Sequence, residues 1–411
     1  MASTLESRRR ARSFALRGFT HAVNARLRAT SYNHLMRFAI VILLAARIAS
    51  AGPSAEQQAL ARVNAYRAAA GLSGVKLDAR MSKGCMEHAQ YMLANRGTDA
   101  MVGLNAHTQR PDLPGASPAG AACGKAADLF PGVSDLGVAI DGWMAGIYHR
   151  RPMMDPGLKA IGVGYAALPD GSLMAALMFG KSGNSSGWPV KYPAADQTGV
   201  PLEYGNEIPN PIPGGGKGGY PITLQVGAFD EVTGVKASLV DGSGTKVPFY
   251  LSDPEHPATS FGQYGVISVI PKRLLAAGTT YTVTIAANWK GKQQGWSWSF
   301  TTLALRALDA KDDRAIAAAV GVPSLVRGTV SYGGMMNTQT VFLQIGSSQS
   351  RYEMLSVLIP VAVWKQLAGK GAPATWKGKT IEVQATPQLV QRKYMNLTIA
   401  EAAQLRVLPT P

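Results

Sequence analysis

The sequence predicts an α+β protein, with a mixed helical and strand region first and two all-β regions after it. Apolar residues recur at helical spacing in the first part, two strands then pair around a turn, and period-two alternation dominates beyond residue 221. Hydrophobic residues make up 46% of the 411 residues and charged residues 16%, which is a globular composition. Because the chain is too long for one compact core, we expect several domains.

The first 51 residues have the composition of a basic leader and signal peptide. Nine arginines and a single acid, Glu6, precede residue 48, so this segment carries half of the net charge of +16. Residues 38–46 form an apolar run that is too short to span a bilayer, and small residues follow at 49–51. We expect a bacterial protein exported to the periplasm, cell envelope or medium, with translation starting at Met1 or at Met36. The mature chain is expected not to span a membrane, and an uncleaved anchor is the alternative.

The region 53–187 predicts three helices followed by a β-hairpin. Ser54 and Gln57 form a capping box ahead of the first helix, Asp78 can cap the second, and Ser134 opens the third. The two strands of the hairpin are 161–166 and 173–179. Helices packed on a hairpin describe a layered α+β domain.

Two all-β patterns follow a stretch at 188–220 that is rich in Pro and Gly and predicts a linker. The region 221–303 alternates at period two in six short strands, which is typical of a small β-sandwich. Its motifs Ile270-Pro271, Leu275–Tyr281 and Trp298–Thr302 resemble those of bacterial Ig-like modules.

The last region, 304–411, predicts three strands, a short helix after Pro360 and two further strands. That order is the order of a five-stranded OB-like barrel. Lysines, arginines and aromatic residues are present, yet we interpret them as a solvated rim around core aromatics. With export as a second reason, no nucleic-acid partner is expected.

The sequence has two cysteines, Cys85 and Cys123. In an exported protein an isolated pair predicts one disulfide, and two buried thiols are the alternative. The bond would close a loop of about 38 residues and stabilise the fold by about 3–4 kcal/mol through restriction of the unfolded chain.

The region 53–187 resembles a bacterial CAP domain, the fold of cysteine-rich secretory, antigen 5 and pathogenesis-related proteins. The matching motifs run in the family's order and are Leu60–Arg67, Gly71-Leu72, Leu77-Asp78, His88–Met92, Ala106–Gln109, Trp143-Met144, His149-Arg150, Met153–Pro156 and Ile161–Gly164. The resemblance implies an α-β-α sandwich with a central cleft, which agrees with the helices and hairpin predicted from the pattern.

Members of this superfamily often carry two histidines and two carboxylates in the cleft, a set that can ligate a metal or orient an imidazole. The resemblance places His107 and His149 at the histidine positions. It places Lys125 where an acid is expected, and Gly146 where many relatives have Glu or Ser. We therefore predict His107, His149 and Lys125 as ligand-binding residues of the cleft, with no catalytic residue, no metal ligand and no cofactor.

Two nearby acids, Asp128 and Asp141, are the candidates to replace the missing carboxylates. The cation of Lys125 should lower the pKa of neighbouring histidines and repel a divalent metal. His149 has an alternative interpretation as a cap on the last turn of the Trp143 helix. His88 is interpreted as a packed or capping residue and not as a ligand.

Neither a Gly-x-Ser-x-Gly nucleophile motif nor a His-Glu-x-x-His zinc motif occurs in the sequence. The leading hypothesis is a secreted, non-catalytic protein whose cleft binds a lipid, a cell-wall glycan or a protein ligand, with the β regions as spacers. The second hypothesis is a hydrolase of peptide or cell-wall substrates that uses His107 and His149. A structural envelope protein is the third.

Overall fold

The computed structural model describes residues 52–183, 185–227, 230–261, 263–346, 354–391 and 394–409. The predicted leader and signal peptide and the alternative start at Met36 lie outside these residues. No helix in the described ranges is long and apolar enough to cross a membrane. The N-terminal region is 53–187, the middle region 188–303 and the C-terminal region 304–409.

The described residues form seven α-helices and twenty strands. The helices are α1 Ala55–Ala69, α2 Ala79–Ala94, α3 Pro118–Ala126, α4 Leu136–Met144, α5 Arg150–Met153, α6 Asp313–Ala318 and α7 Val361–Ala368. The strands of the N-terminal region are β1 Lys76–Leu77, β2 Ala127–Val133, β3 Ala160–Ala167 and β4 Leu173–Phe179. Those of the middle region are β5 Val190–Tyr192, β6 Ile222–Gly227, β7 Val232–Asp241, β8 Phe249–Ser252, β9 Gly265–Pro271, β10 Thr280–Trp289 and β11 Lys292–Thr301. Those of the C-terminal region are β12 Ala307–Asp309, β13 Ser324–Thr329, β14 Tyr332–Asn337, β15 Thr340–Gln344, β16 Met354–Pro360, β17 Thr380–Ala385, β18 Pro387–Val390, β19 Tyr394–Thr398 and β20 Leu405–Val407.

The N-terminal region has three layers around a sheet of order β1-β3-β4-β2. Ile161 and Val163 of β3 share a core with α1 and α4, whereas the alternate positions Gly162 and Gly164 face α2. A Cβ on Gly164 would lie 2.1 Å from the carbonyl carbon of Cys85, so only glycine lets α2 approach the strand this closely.

Helix caps in the N-terminal region follow the sequence with one exception. Ser54 and Gln57 form the predicted capping box of α1, and the side chain of Asp78 accepts a hydrogen bond from Met81 N in α2. Asp135, and not Ser134, caps α4 by accepting from Val138 N. The predicted disulfide is confirmed, since Cys85 of α2 and Cys123 of α3 are bonded with a Cα–Cα distance of 5.2 Å.

The middle region consists of two antiparallel sheets, β5-β6-β9-β8 and β11-β10-β7. Their inward faces belong to the same apolar cluster as the core beneath α1 and α4. The fully buried Arg150 of α5 joins the two regions, because its guanidinium lies 4.9 Å from the ring centroid of Tyr192 and 4.7 Å from that of Tyr220. It also donates to the carbonyl oxygens of Met144 and Pro221, both at 2.7 Å. The two regions are therefore packed as one body.

The stretch 188–220, predicted to be a linker, contributes β5 to a sheet and packs against the N-terminal region. The amide N–H of Gly205 donates to the carbonyl of Ala145 at 3.0 Å. Buried Glu207 reaches back to the backbone of residues 147–149. This stretch thus carries side chains and backbone groups across the boundary between the two regions.

The C-terminal region is not the closed five-stranded barrel that the sequence predicted. Its described strands form two open sheets, β12-β13-β17-β20 and β14-β15-β16-β19-β18, around a separate apolar cluster. The predicted strands and the helix α7 are present in the predicted order. The additional edge strands escaped prediction because Gly333-Gly334 in β14 and the exposed residues 388–390 in β18 lack alternation.

The C-terminal region touches the middle region through a few polar contacts. Gln384 of β17 accepts from Ala277 N and donates to Leu275 O, both at 3.1 Å. Arg273 and Glu401 form an ion pair at 3.6 Å. This contact is smaller and more polar than the shared core of the other two regions.

Candidate functional site

A cleft of about 390 Å³ lies where the N-terminal and middle regions meet. All three predicted cleft residues line it, and the titratable or charged side chains of its wall are His107, Lys125, Asp128, Tyr148, His149 and Arg151. Large apolar side chains of the wall are Leu104 and Phe179 from the N-terminal region and Ile208 and Phe261 from the middle region. The cleft is therefore a composite of two regions.

His107 ends a 3-10 helix at Gly103–His107, and its ring faces the end of α3. Its Nδ1 lies 2.9 Å from the carbonyl oxygen of Gly124, so Nδ1 carries the hydrogen and Nε2 is left as an acceptor. Burial lowers the pKa of His107, and nearby His149 lowers it further. Lys125 follows Gly124 on α3 and is exposed at the edge of the cleft.

His88 is a buried residue of the core, in agreement with its interpretation from the sequence. Its ring stacks on Tyr91 and its Nδ1 lies 3.1 Å from the side-chain amide of Gln109. Burial lowers the pKa of His88 to about 4, which keeps the ring neutral. A Cβ on Gly124 would lie 2.4 Å from this ring, so His88 packs directly against the last turn of α3, which carries Lys125.

His149 is held by Glu207, a residue of the predicted linker. Its Nδ1 lies 2.8 Å from Oε2 of Glu207, and the same carboxylate accepts from the backbone N–H groups of Ile147 at 2.5 Å and Tyr148 at 3.0 Å. The carboxylate thus fixes Nδ1–H as the donor tautomer and leaves Nε2 as the position that gains or loses a proton. Since α4 ends at Met144, His149 does not cap that helix.

The absence of a side chain at Gly146 provides the space that Glu207 occupies. A Cβ at this position would lie 2.5 Å from Oε2 of Glu207 and 2.8 Å from its carboxyl carbon. Gly146 is the position at which the resemblance led us to expect Glu or Ser. An acid is therefore present at this part of the cleft, but it comes from a distant segment of the chain.

Asp128, one of the two acids proposed from the sequence, is the second carboxylate of the cleft. It lies at the start of β2, and its buried Oδ2 accepts no hydrogen bond from the residues that the structure describes. Burial raises the pKa of Asp128 to about 7, against the opposing effect of His149; Glu207 raises it further. Of the two candidates to replace the missing carboxylates, Asp128 is therefore the one that lines the cleft.

The two carboxylates reverse the pKa shift expected for His149. Burial alone would lower the pKa of His149, but Asp128 and the hydrogen-bonded Glu207 raise it overall. The predicted lowering by Lys125 is thus wrong for this residue. The protonated form of His149 is therefore favoured more than in a free imidazole, with Asp128 and Glu207 as the cause.

Asp141, the other proposed acid, lies outside the cleft lining and forms hydrogen bonds with residues of α1. Its carboxylate accepts from Arg62 Nε and Nη2 and from the Tyr66 hydroxyl, each at 2.7 Å. These contacts join α4 to α1. Within the described ranges, no group of three or more His, Cys, Asp or Glu side chains is arranged to hold a metal ion.

Glu207 is the functional residue that sequence reasoning missed. The sequence pointed to Glu207 only indirectly. Gly146 showed that the expected side chain is missing at this position, but not which segment of the chain fills the space. Asp128 was a candidate only through its nearness in sequence. The structure distinguishes it from Asp141, because Asp128 lines the cleft whereas Asp141 lies on α4 and bonds to α1.

Comparison with known proteins identifies the N-terminal region. Residues 60–179 match the sequence profile of the cysteine-rich secretory protein family, CAP, so this region contains a CAP domain. Among curated proteins, none matches the chain. CopC from Methylosinus trichosporium OB3b is 16% identical over 29% of this chain and 93% of that chain, with a TM-score of 0.20. A family 123 glycoside hydrolase from Clostridium perfringens is 14% identical over 24% of each chain, with a TM-score of 0.13.

Proposed function

We propose that the chain is a secreted, non-catalytic binding protein whose composite cleft holds an amphiphilic ligand with an anionic group. In this proposal the CAP domain and an Ig-like middle module are the two walls of the binding site. The C-terminal region, whose strands form two open sheets, serves as a spacer.

The composition of the cleft lining carries this proposal. Lys125 and Arg151 offer positive charge, and the raised pKa of His149 favours its protonated form. Phe179, Ile208 and Phe261 offer apolar surface. A ligand with both an acidic group and a hydrocarbon part would satisfy both kinds of surface. Of the lipid, glycan and protein ligands considered from the sequence, an acidic lipid or a lipid-like molecule fits best.

Secretion is supported by three observations. The Cys85–Cys123 disulfide is typical of an oxidising compartment. CAP domains are typically extracellular, and the first 51 residues have the composition of a leader and signal peptide.

The choice of binding over catalysis rests on the nature of the cleft side chains. The described lining includes no Ser, Thr or Cys that could act as a nucleophile. Its one hydroxyl group, on Tyr148, forms a hydrogen bond of 2.8 Å with Thr259 Oγ1.

The binding proposal is tested with a fluorescent fatty acid, dansyl-undecanoic acid, and the matching dansyl-undecanol. The full chain should bind the acid more tightly by about tenfold, because a charge-assisted contact is lost with the alcohol. Lys125→Gln should weaken binding of the acid, while Lys370→Gln, a change at an exposed lysine of the C-terminal region, should not. Equal affinity for acid and alcohol, or equal effects of the two variants, would contradict the proposal.

A hydrolase remains the second candidate because of one specific contact. Glu207 orients His149 as carboxylates orient the imidazole of general bases, and such a pair can activate a water molecule. Turnover of peptide or peptidoglycan fragments that His149→Gln and His107→Ala abolish would establish this activity. Turnover that both variants leave unchanged would rule out this cleft as its origin.

A further inference from the structure

We infer that the mouth of the cleft docks onto an anionic lipid surface. The mouth is defined here by Leu104, Lys125, Ile208 and Phe261, which all line the cleft. Docking goes beyond the proposed function, since a protein can bind a membrane surface whether or not a ligand enters its cleft.

The apolar part of the mouth is unusually open to solvent. Leu104 is 45% exposed, Ile208 61% and Phe261 49%, although these residues come from three separate segments of the chain. Val102, which immediately precedes the 3-10 helix of Leu104, is 66% exposed. Single exposed apolar residues are ordinary, but a group around one opening marks an interaction surface.

The aromatic residues beside the mouth have the chemistry of a membrane interface. Tyr148 packs edge-to-face on Phe261 with ring centroids 5.4 Å apart. The guanidinium of Arg151 lies 3.9 Å from the ring centroid of Tyr264, whose side chain is also exposed. Aromatic rings and a cation held together in this way are favoured at the headgroup level of a bilayer.

The distribution of charge favours an anionic surface. Lys125 is exposed at the mouth, and Arg151 lies on the cleft wall beside it. The two acids of the cleft, Asp128 and Glu207, are buried behind them. Among the residues that line the cleft, the exposed charge is therefore positive, which complements phospholipid headgroups such as phosphatidylglycerol.

The geometry of the mouth favours shallow contact with a lipid surface over insertion of a whole helix into the bilayer. The exposed apolar side chains come from separate segments in the N-terminal and middle regions and not from one amphipathic helix, so they can enter the interface only to side-chain depth. Shallow apolar insertion together with adjacent cations is the usual mode of peripheral, salt-sensitive membrane binding.

Cosedimentation with vesicles tests this inference. The full chain is mixed with vesicles of phosphatidylcholine alone or of phosphatidylcholine with phosphatidylglycerol, and the bound fraction is measured at low and high salt. We expect binding to the anionic vesicles that decreases with salt, and weaker binding to the neutral ones.

Matched variants locate the contact. Ile208→Glu should reduce binding to anionic vesicles by at least about tenfold, because it replaces an inserting side chain with a like charge. Lys125→Gln should reduce it about fivefold. The controls Val322→Glu, at a side chain that is 54% exposed in the C-terminal region, and Lys370→Gln should leave binding unchanged. Since Ile208 is exposed, the melting temperature should stay near that of the native chain, and Leu104→Ser serves as a second variant if it does not.

Several results would overturn the inference: no binding to anionic vesicles, equal binding to neutral ones, or equal losses in the mouth and control variants. A concentration-dependent dimer that Ile208→Glu dissociates without vesicles would show that a second copy covers the mouth. Binding of soluble dansyl-undecanoic acid without vesicle binding would overturn only the docking inference. Vesicle binding without fatty-acid binding would overturn only the proposed ligand.

Discussion

The middle and C-terminal regions are both pairs of β-sheets, yet they relate to the CAP domain in different ways. The middle region shares one apolar core with it and receives Arg150 between two tyrosines. It also supplies Ile208 and Phe261 to the cleft wall, and Glu207 to the cleft residue His149. The C-terminal region has its own apolar cluster and meets the middle region through contacts such as those of Gln384. A β region that follows the CAP domain can thus form part of the binding site, as the middle region does, or pack beside it as a separate unit, as the C-terminal region does.

The kind of buried contact distinguishes these two cases. A buried guanidinium that is enclosed by aromatic rings and carbonyl groups of a neighbouring region depends on that region staying in place. If the two regions moved apart, the carbonyl groups would lose their hydrogen-bond donor. An amide that bonds two backbone groups at a part-buried site loses much less when it is replaced by water. We therefore expect substitutions at the first boundary to disturb folding and those at the second boundary to disturb mainly the relative position of the regions.

Arg150→Met should give the largest effect. It removes the cation between Tyr192 and Tyr220 and leaves Pro221 O without its donor, so we expect a loss of about 3–5 kcal/mol of unfolding free energy. Urea unfolding followed by tryptophan fluorescence measures it, and the CAP and middle regions should unfold in one transition. The control Arg62→Met breaks an exposed pair with Asp141 and should cost less than about 1 kcal/mol. Similar losses for the two variants would contradict the shared-core account.

Gly146→Ala should have the next largest effect. The new methyl group would lie 2.5 Å from Oε2 of Glu207, and displacing that buried carboxylate should cost about 1–3 kcal/mol. In a Glu207→Ala background the same change should cost little, so a double-mutant cycle should show coupling of at least about 1 kcal/mol. Gly183→Ala, in an open loop, is the matched control. Additive costs would show that Glu207 does not occupy this space.

Raising the pH should weaken binding of an anionic ligand by a smaller amount. His149 loses its proton as the pH passes its raised pKa, and Asp128 gains charge as the pH passes about 7. Both changes make the cleft more negative, so affinity for dansyl-undecanoic acid should fall between about pH 6 and about pH 8. Both raised pKa values also mean that the fold binds these protons more tightly than the unfolded chain, so its stability should fall in the same direction.

Asp128→Asn separates the two titrations. It removes the acid that ionises near pH 7 and the main carboxylate effect on His149, so the dependence of affinity on pH should become shallower and shift to lower pH. An unchanged pH profile would show that neither group governs binding. Asp141→Asn, at an acid outside the cleft lining, is the control.

Gln384→Ala should give the smallest effect on the CAP domain. It removes two hydrogen bonds across the second boundary, worth about 1–2 kcal/mol in total. Hydrogen exchange at the Ala277 amide should become faster, while fatty-acid affinity should stay unchanged. A loss of affinity would mean that the C-terminal region also supports the cleft.

The sequence was informative wherever local pattern decides the structure. It predicted the capping box of Ser54, the hairpin of β3 and β4, the Cys85–Cys123 bond and the order of strands around α7, since these depend on neighbouring residues or on an isolated pair. It was not informative about barrel closure, because closure depends on how edge strands such as β14 pair.

The site was predicted in part for the same reason. His107, Lys125 and His149 lie inside family motifs, and the structure places all three on the cleft wall. Glu207 lies 58 residues after its partner His149, in a Pro-rich stretch without periodicity, so no local pattern could connect the two. Contacts of this range are fixed by the packing of one region against another.

The central claim is that the middle region completes the CAP cleft through Glu207, and a pKa measurement of His149 tests it most directly. The imidazole protons of the full chain are titrated by NMR, with His149→Gln used for assignment, and compared with those of Glu207→Gln. Because Glu207 helps to raise the pKa of His149, that pKa should fall in the variant. An unchanged pKa of His149 would contradict the account.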